Sequence, residues 1–183
     1  KKTGKVTKAM ESVSAVKMRK SQERAFASRP YVHAAMRILA RVSGSDEAMQ
    51  HPLAQKRVAA KRLVVMVTSD KGLAGSVNSA VLKQADILRR SGVDFDVIAI
   101  GRKAVEYAER EGITIVAKYM NVADDVTIAD VYAMAAVAMD AFKNSDTYGE
   151  VNVIYQNFIS TFEQAPTLRQ VLPLDPAEIH YIM

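Results

Sequence analysis

The residues with the strongest claim to chemistry run from Thr68 to Asn78, as Thr68-Ser69-Asp70-Lys71-Gly72-Leu73-Ala74-Gly75-Ser76-Val77-Asn78. A carboxylate, a lysine and two glycines after an apolar run are the ingredients of a phosphate-handling loop. Spacing argues against two forms of it. A dinucleotide fingerprint needs G-x-G-x-x-G, and only Gly72-x-x-Gly75 is present. A P-loop needs Gly-Lys-Ser/Thr after four intervening residues, whereas Lys71 precedes its glycine. An aspartyl nucleophile at Asp70 is chemically admissible, yet no second carboxylate stands two residues away to hold a metal or act as general acid. The plainer reading is a turn whose glycines allow positive φ and whose exposed amides face a partner.

The other candidates are weaker. His33, His51 and His180 are far apart, and none has a second ligand at metal spacing. Asp124-Asp125 precedes a helix, where such pairs more often compensate the helix dipole than catalyse. No Ser-His-Asp set can be assembled. Cysteine is absent, which excludes disulfides and thiol catalysis and fits a reducing compartment. No apolar run approaches the ~20 residues of a membrane span, and no signal peptide is visible.

The loop belongs to an α/β alternation that starts at Arg62. Leu63-Val64-Val65-Met66-Val67 is β-branched-rich and bounded by polar residues, as expected of a strand buried on both faces. Ser76 or Asn78 is positioned to cap a helix with Val77, Val81, Leu82, Ala85 and Leu88 inward, closed by Arg89-Arg90-Ser91-Gly92. Phe95 to Ile100 reads as the next strand, Lys103 to Glu111 as a short helix stopped by Gly112, and Ile113 to Val116 as a third strand. Thr127-Ile128-Ala129-Asp130 has the form of a capping box for a helix with Val131, Met134, Ala135, Ala138, Ala141 and Phe142 on one face. A strand over Val151 to Tyr155, a connection over Phe158 to Pro166 and a last strand over Thr167 to Leu172 follow. Repeated βαβ units predict a parallel, Rossmann-like sheet with helices on both faces.

Ahead of this domain, Val6 to about Val42 reads as one long helix or two end to end, with Pro30 as a kink or a restart. About forty helical residues extend roughly 60 Å. The apolar stripe is thin and flanked by small residues, which suits packing against another helix, and this chain supplies no second long one. The net charge of +5 is concentrated here: Lys1, Lys2, Lys5, Lys8, Lys17, Arg19, Lys20 and Arg24 face only Glu11 and Glu23. Such a segment points to an acidic partner or to a solvated helix face. Nucleic-acid binding would need stacking aromatics among the cations, and none precedes Phe26.

Several stretches resemble the ATP synthase gamma-subunit family. Lys5 to Ala15, followed by Lys17-Met18-Arg19-Lys20-Ser21-Gln22, resembles that family's N-terminal helix. Ser28-Arg29-Pro30-Tyr31 is similar to the same helix further on and favours a continuous helix. His51-Pro52-Leu53 resembles a linker motif, Thr68 to Asn78 the strand-to-helix loop, and Ala165-Pro166-Thr167 with Leu172-Pro173-Leu174 the final strand region. The family often has Arg at Lys71, Cys at Ala74 and Gly at Ser76; Lys71 keeps the charge but loses the bidentate fork. A long C-terminal helix, antiparallel to the first in that family, is missing, as are about a dozen starting residues, so a fragment or shortened variant is expected.

The resemblance implies a non-catalytic central-stalk rotor with no cofactor. It would couple proton flow to ATP synthesis by turning inside the alpha–beta hexamer, beside an epsilon (or delta-type) subunit and the membrane c-ring. Its membrane association would be indirect, on the cytoplasmic face of a bacterial plasma membrane or the inner face of the mitochondrial inner membrane. It implies a shaft helix over 1–43, a linker over 44–61, an α/β domain over 62–175 and a tail over 176–183. Lys5, Thr7, Lys8, Met10 and Val13 would face the beta subunits, and Asp70, Lys71 and Asn78 would face the hexamer or a stalk neighbour. The alternatives are a nucleic-acid-binding α/β protein with a basic arm, and a small phosphate-handling enzyme using Asp70 and the Gly72–Gly75 loop.

Overall fold

The computed structural model describes residues 2–72, 74–122 and 126–175, with the side chains of 2–7 and 9 outside the description. Asp124-Asp125, His180 and the 176–183 tail also lie outside the described residues.

A strand with five consecutive apolar residues must be covered from both sides, and β1 (Lys61–Val67) is the centre of the sheet. The other elements of the α/β region are α3 (Val77–Arg90), β2 (Phe95–Ile100), α4 (Arg102–Glu111), β3 (Ile115–Tyr119), α5 (Ile128–Lys143), β4 (Tyr148–Phe158) and β5 (Gln164–Leu172). The five strands lie in the order β3-β2-β1-β4-β5. One face carries Val64, Met66 and Ile154, packed with Val81 and Ala85 of α3 and Tyr107 of α4. The other carries Leu63, Ile98 and Val151 beneath Ala138 and Phe142 of α5. Leu63, Val64 and Met66 are fully buried, each a contribution of about 2 kcal/mol by transfer from water.

β1 to β4 are parallel, but β5 runs antiparallel to β4, so the sheet is mixed rather than wholly parallel. The segment expected to be a connection, Phe158 to Pro166, is largely strand and hairpin. The β1–β4 ladder ends at Met66–Ile154, whereas β4 and β5 stay paired out to Phe158–Gln164. A two-stranded arm therefore projects beyond the sheet. Its residues have no continuous apolar signature because no layer covers both of its faces. Pro166 is tolerated there because β5 is an edge strand.

The third strand begins two residues later than its apolar run suggests. Gly112 adopts a left-handed conformation, and the Ile113 amide donates to the Ala108 carbonyl at 2.9 Å. Ile113 thus closes α4 and packs into the core before the strand starts. The Thr127–Asp130 capping box is present, with both reciprocal bonds. Only the second half of α5 is buried: Ala138 and Phe142 lie in the core, while Ile128, Val131 and Tyr132 are exposed.

α1 (Lys2–Val42) is one continuous helix that contains Pro30. Ser43 and Ser45 end it, and Ser45 caps a single turn, α2 (Asp46–Met49). The following segment is tied down. The Leu174 amide donates to Leu53, the Arg57 guanidinium stacks on Phe142 at 4.4 Å and donates to the Ser145 carbonyl at 2.6 Å, and a Cβ at Gly149 would overlap the Ala59 carbonyl. Along α1, by contrast, Met10, Val13, Val16 and Met18 are all more than half exposed.

Two outcomes follow from these contacts. In the isolated chain, amides from Lys8 to Lys20 will exchange with solvent several orders of magnitude faster than those of β1, as a helix without tertiary cover should; strong protection there would mean α1 is packed. Gly101→Ala forces a Cβ into the Thr68 carbonyl at a φ of +90°. It should cost about 3 kcal/mol or more in urea unfolding.

Candidate functional site

Thr68, Ser69, Asp70 and Asn78, the polar residues where β1 gives way to its loop, bond to neighbouring segments. The Thr68 amide and hydroxyl both donate to the Ile100 carbonyl, and the same hydroxyl accepts from the Ala104 amide at 2.9 Å. The N-cap of α4 is Gly101, which has no capping side chain, so β1 supplies the missing acceptor. Ser69 donates its amide to Asn78 Oδ1 at 2.9 Å and its hydroxyl to the Lys71 carbonyl at 2.7 Å, and accepts from Asn78 Nδ2 at 2.8 Å. Asn78 is therefore a buried tether inside α3 and not its cap. Ser76 occupies the N-cap position without a side-chain bond. Of the two loop glycines only Gly75 has positive φ.

Asp70 Oδ1 accepts from the Arg102 amide at 3.0 Å. The Asn121 backbone amide, with those of Arg102 and Val122, holds this carboxyl below its ordinary value. One carboxylate thereby joins the β1 loop, the start of α4 and the turn after β3, at the positive end of a helix. A carboxylate held this way serves as a clamp between these segments. Lys71 is exposed beside it.

Above the loop lies a cleft of about 1060 Å³ between α5 and the sheet, lined chiefly by Val65, Val67, Val131, Met134, Val153 and Val171. It opens where the chain returns from the β3 edge to place β4 beside β1, the position at which doubly wound sheets form their crevices. Its lining is overwhelmingly apolar. Among the described residues no three His, Cys, Asp or Glu side chains gather as metal ligands, and no helix is long and apolar enough to cross a membrane.

The residues singled out in the sequence fall into two separate places. Asp70, Lys71 and Asn78 belong to one hydrogen-bonded loop. Lys8, Met10 and Val13 lie exposed along α1, on which Lys5 and Thr7 also stand; none of the described hydrogen bonds joins Lys8, Met10 or Val13 to the loop. Three further residues were not singled out as a contact: Gln22, Phe26 and Arg29, which meet the β4–β5 arm. Their spacing on one helix face was the available signal.

The fold and the loop define a doubly wound α/β domain whose carboxyl-end loop braces its own scaffold, joined to a long exposed helix. The chain belongs to the ATP synthase family, whose model matches residues 1–181. It is 36% identical to the ATP synthase gamma chain of Cupriavidus necator, over 94% of this chain and 60% of that one. It is 33% identical to that of Legionella pneumophila, over 97% of this chain and 62% of that one. The chain thus spans about three-fifths of the length of these curated relatives. Its fold is similar to a chain in the central stalk and c-ring structure of the Tetrahymena thermophila mitochondrial ATP synthase, with a TM-score of 0.71 and 24% identity, over 92% of this chain and 72% of that one.

The clamp makes stability depend on pH with a definite sign. Asp70 is depressed in the folded chain, so its contribution is present above the ordinary carboxylate range and is lost as pH falls through the folded value. Asp70→Asn should be less stable than the parent by about 1 kcal/mol at pH 7. The gap in urea midpoint should begin to narrow below about pH 4 and close as pH falls through the lower folded value; a gap independent of pH would mean the charge plays no part.

Proposed function

We propose that this chain acts as the gamma-type rotor of an ATP synthase, turning within the alpha–beta hexamer and coupling ion flow to ATP synthesis without catalysing the chemistry itself. The observation that carries this reading is the ordered match to gamma chains across nearly the whole chain, on a molecule whose α1 is exposed from Met10 to Ser21. A helix of about 60 Å with an uncovered apolar stripe needs a macromolecular partner.

In this reading residues 1–43 are the shaft, 44–61 the linker, 62–175 the α/β base and 176–183 the C-terminal tail. The basic side of α1, with Lys5, Thr7, Lys8, Met10 and Val13, meets acidic residues of the beta subunits. Asp70, Lys71 and Asn78 shape a loop that faces the hexamer or a stalk neighbour, Asp70 and Asn78 bracing it and Lys71 offering charge. The exposed apolar residues of α5 suit the epsilon-type subunit or the c-ring. The chain is then peripheral to an energy-coupling membrane, held there through the complex. The mechanism needs no reactive group in this chain: asymmetry of the shaft, forced round by the base, drives each beta subunit through different nucleotide affinities.

Co-expression with cognate alpha and beta subunits tests it, with the chain as it stands and extended by the C-terminal portion of a gamma-chain relative. Co-elution of the extended form with the hexamer on size exclusion is expected. Failure of both forms to enter a hexamer that is competent for a known gamma chain would sink the reading.

A further inference from the structure

We propose that Arg29 is a positioning residue: with Phe26 and Gln22 it locks the direction of α1 against the β4–β5 arm, and rotation of the α/β domain enters the helix through this contact. The inference rests on the central-stalk reading for its mechanical half and on geometry alone for its structural half.

Gln22, Phe26 and Arg29 fall at i, i+4 and i+7 on α1 and so share one helix face. The Phe26 ring meets Phe158 of the arm edge-on, with centroids 5.7 Å apart. The Arg29 guanidinium lies 4.7 Å over the Phe26 ring. Its Nη2 donates to the carbonyls of Phe158 at 3.2 Å and Ile159 at 3.1 Å. Gln22 Nε2 reaches Thr161 Oγ1 at 3.4 Å. A planar cation that stacks on one ring and donates to two successive carbonyls fixes orientation as well as distance, which a lysine ammonium cannot do.

Both halves of the contact are suited to bear load. The arm tip is pre-shaped: the Ser160 hydroxyl accepts from the amides of Phe162 and Glu163, and the Ile159 amide donates to the Glu163 carbonyl. On the helix side, Pro30 has no amide to offer the Phe26 carbonyl, so the turn between them lacks one helix hydrogen bond and gains by outside support. The arm stands against this turn. From Glu11 to Ser21 every residue of α1 is exposed, and the described contacts between α1 and the arm are those of Gln22, Phe26 and Arg29.

The chain has no cysteine, so Ser21→Cys with Lys83→Cys permits a single spin-label pair between α1 and the α/β domain. The label at Ser21 sits about 12 Å of helix beyond Arg29, next to the contact and outside the uncovered stretch from Lys8 to Lys20. The parent pair should give one narrow distance distribution. Arg29→Gln, Phe26→Ala and Phe158→Ala should each broaden it roughly twofold, Arg29→Lys should fail to restore it, and Phe26→Tyr should preserve it. The urea midpoint of the sheet should stay unchanged. Distributions as narrow as the parent's would overturn the lock. In the complex reconstituted with the extended chain, ATP-driven ion pumping per ATP hydrolysed should fall roughly twofold in Arg29→Gln with assembly intact. Broadened distances with undiminished pumping would overturn the transmission of rotation. A parent chain that enters no hexamer would instead fail the central-stalk reading, and the label distances would still decide the lock.

Discussion

The double burial of β1 is the constraint from which the α/β domain follows. A strand with apolar side chains on both faces has to sit in the interior of a sheet and needs a layer on each side. The chain meets this by sending α3 and α4 over one face, then crossing back so that α5 covers the other. The crossing places β4 beside β1 and leaves the carboxyl end of β1 at the point where the order of strands reverses. Thr68, Ser69 and Asp70 emerge there together, in reach of three other elements. Each satisfies backbone groups that would otherwise be orphaned, so the polar residues of the loop are consumed in joining α3, α4 and the turn after β3.

That arrangement explains why residues that look chemical in the sequence serve as structural ties in the fold. A carboxylate, hydroxyls and glycines after a buried strand are what a phosphate site would use, and they are also what a crowded strand-to-helix turn uses. The strands over Leu63 to Val67 and Phe95 to Ile100, the Gly112 stop and the Thr127 capping box were legible because each rests on local patterning. The extent and direction of the last two strands were not. Their pairing out to Phe158 and Gln164 depends on contact between two segments, which no local pattern announces. Asn78 was legible as a polar residue at a helix start, yet its partner Ser69 is reached only once β1 and α3 are side by side.

The charge distribution divides the molecule in the same way. In the α/β domain the cations are largely spent on neighbours: Lys61 bridges to Asp96, which also accepts from the Tyr148 hydroxyl, and Arg62 pairs with Glu150. Burial, reinforced by Asp96, pushes the Tyr148 phenol upward, while the bond to Asp96 raises Lys61. On the first half of α1 the described cations are exposed, and Arg19 meets Glu23 in an exposed pair that carries little stability. Charge on the domain holds the fold together; the described cations on the first half of the helix lie at the surface.

The distance between the arm and the free end of the helix sets a scale of leverage. From Gln22 to Arg29 the arm grips about 10 Å of α1, and from Arg29 back to Lys8 the helix runs about 30 Å. A slip of about 1 Å across the gripped length therefore becomes about 3 Å at Lys8, enough to move a charged side chain from one acidic neighbour to the next. The angular precision of the whole helix is thus decided at a proline-weakened turn, by a hairpin that contributes almost nothing to the core.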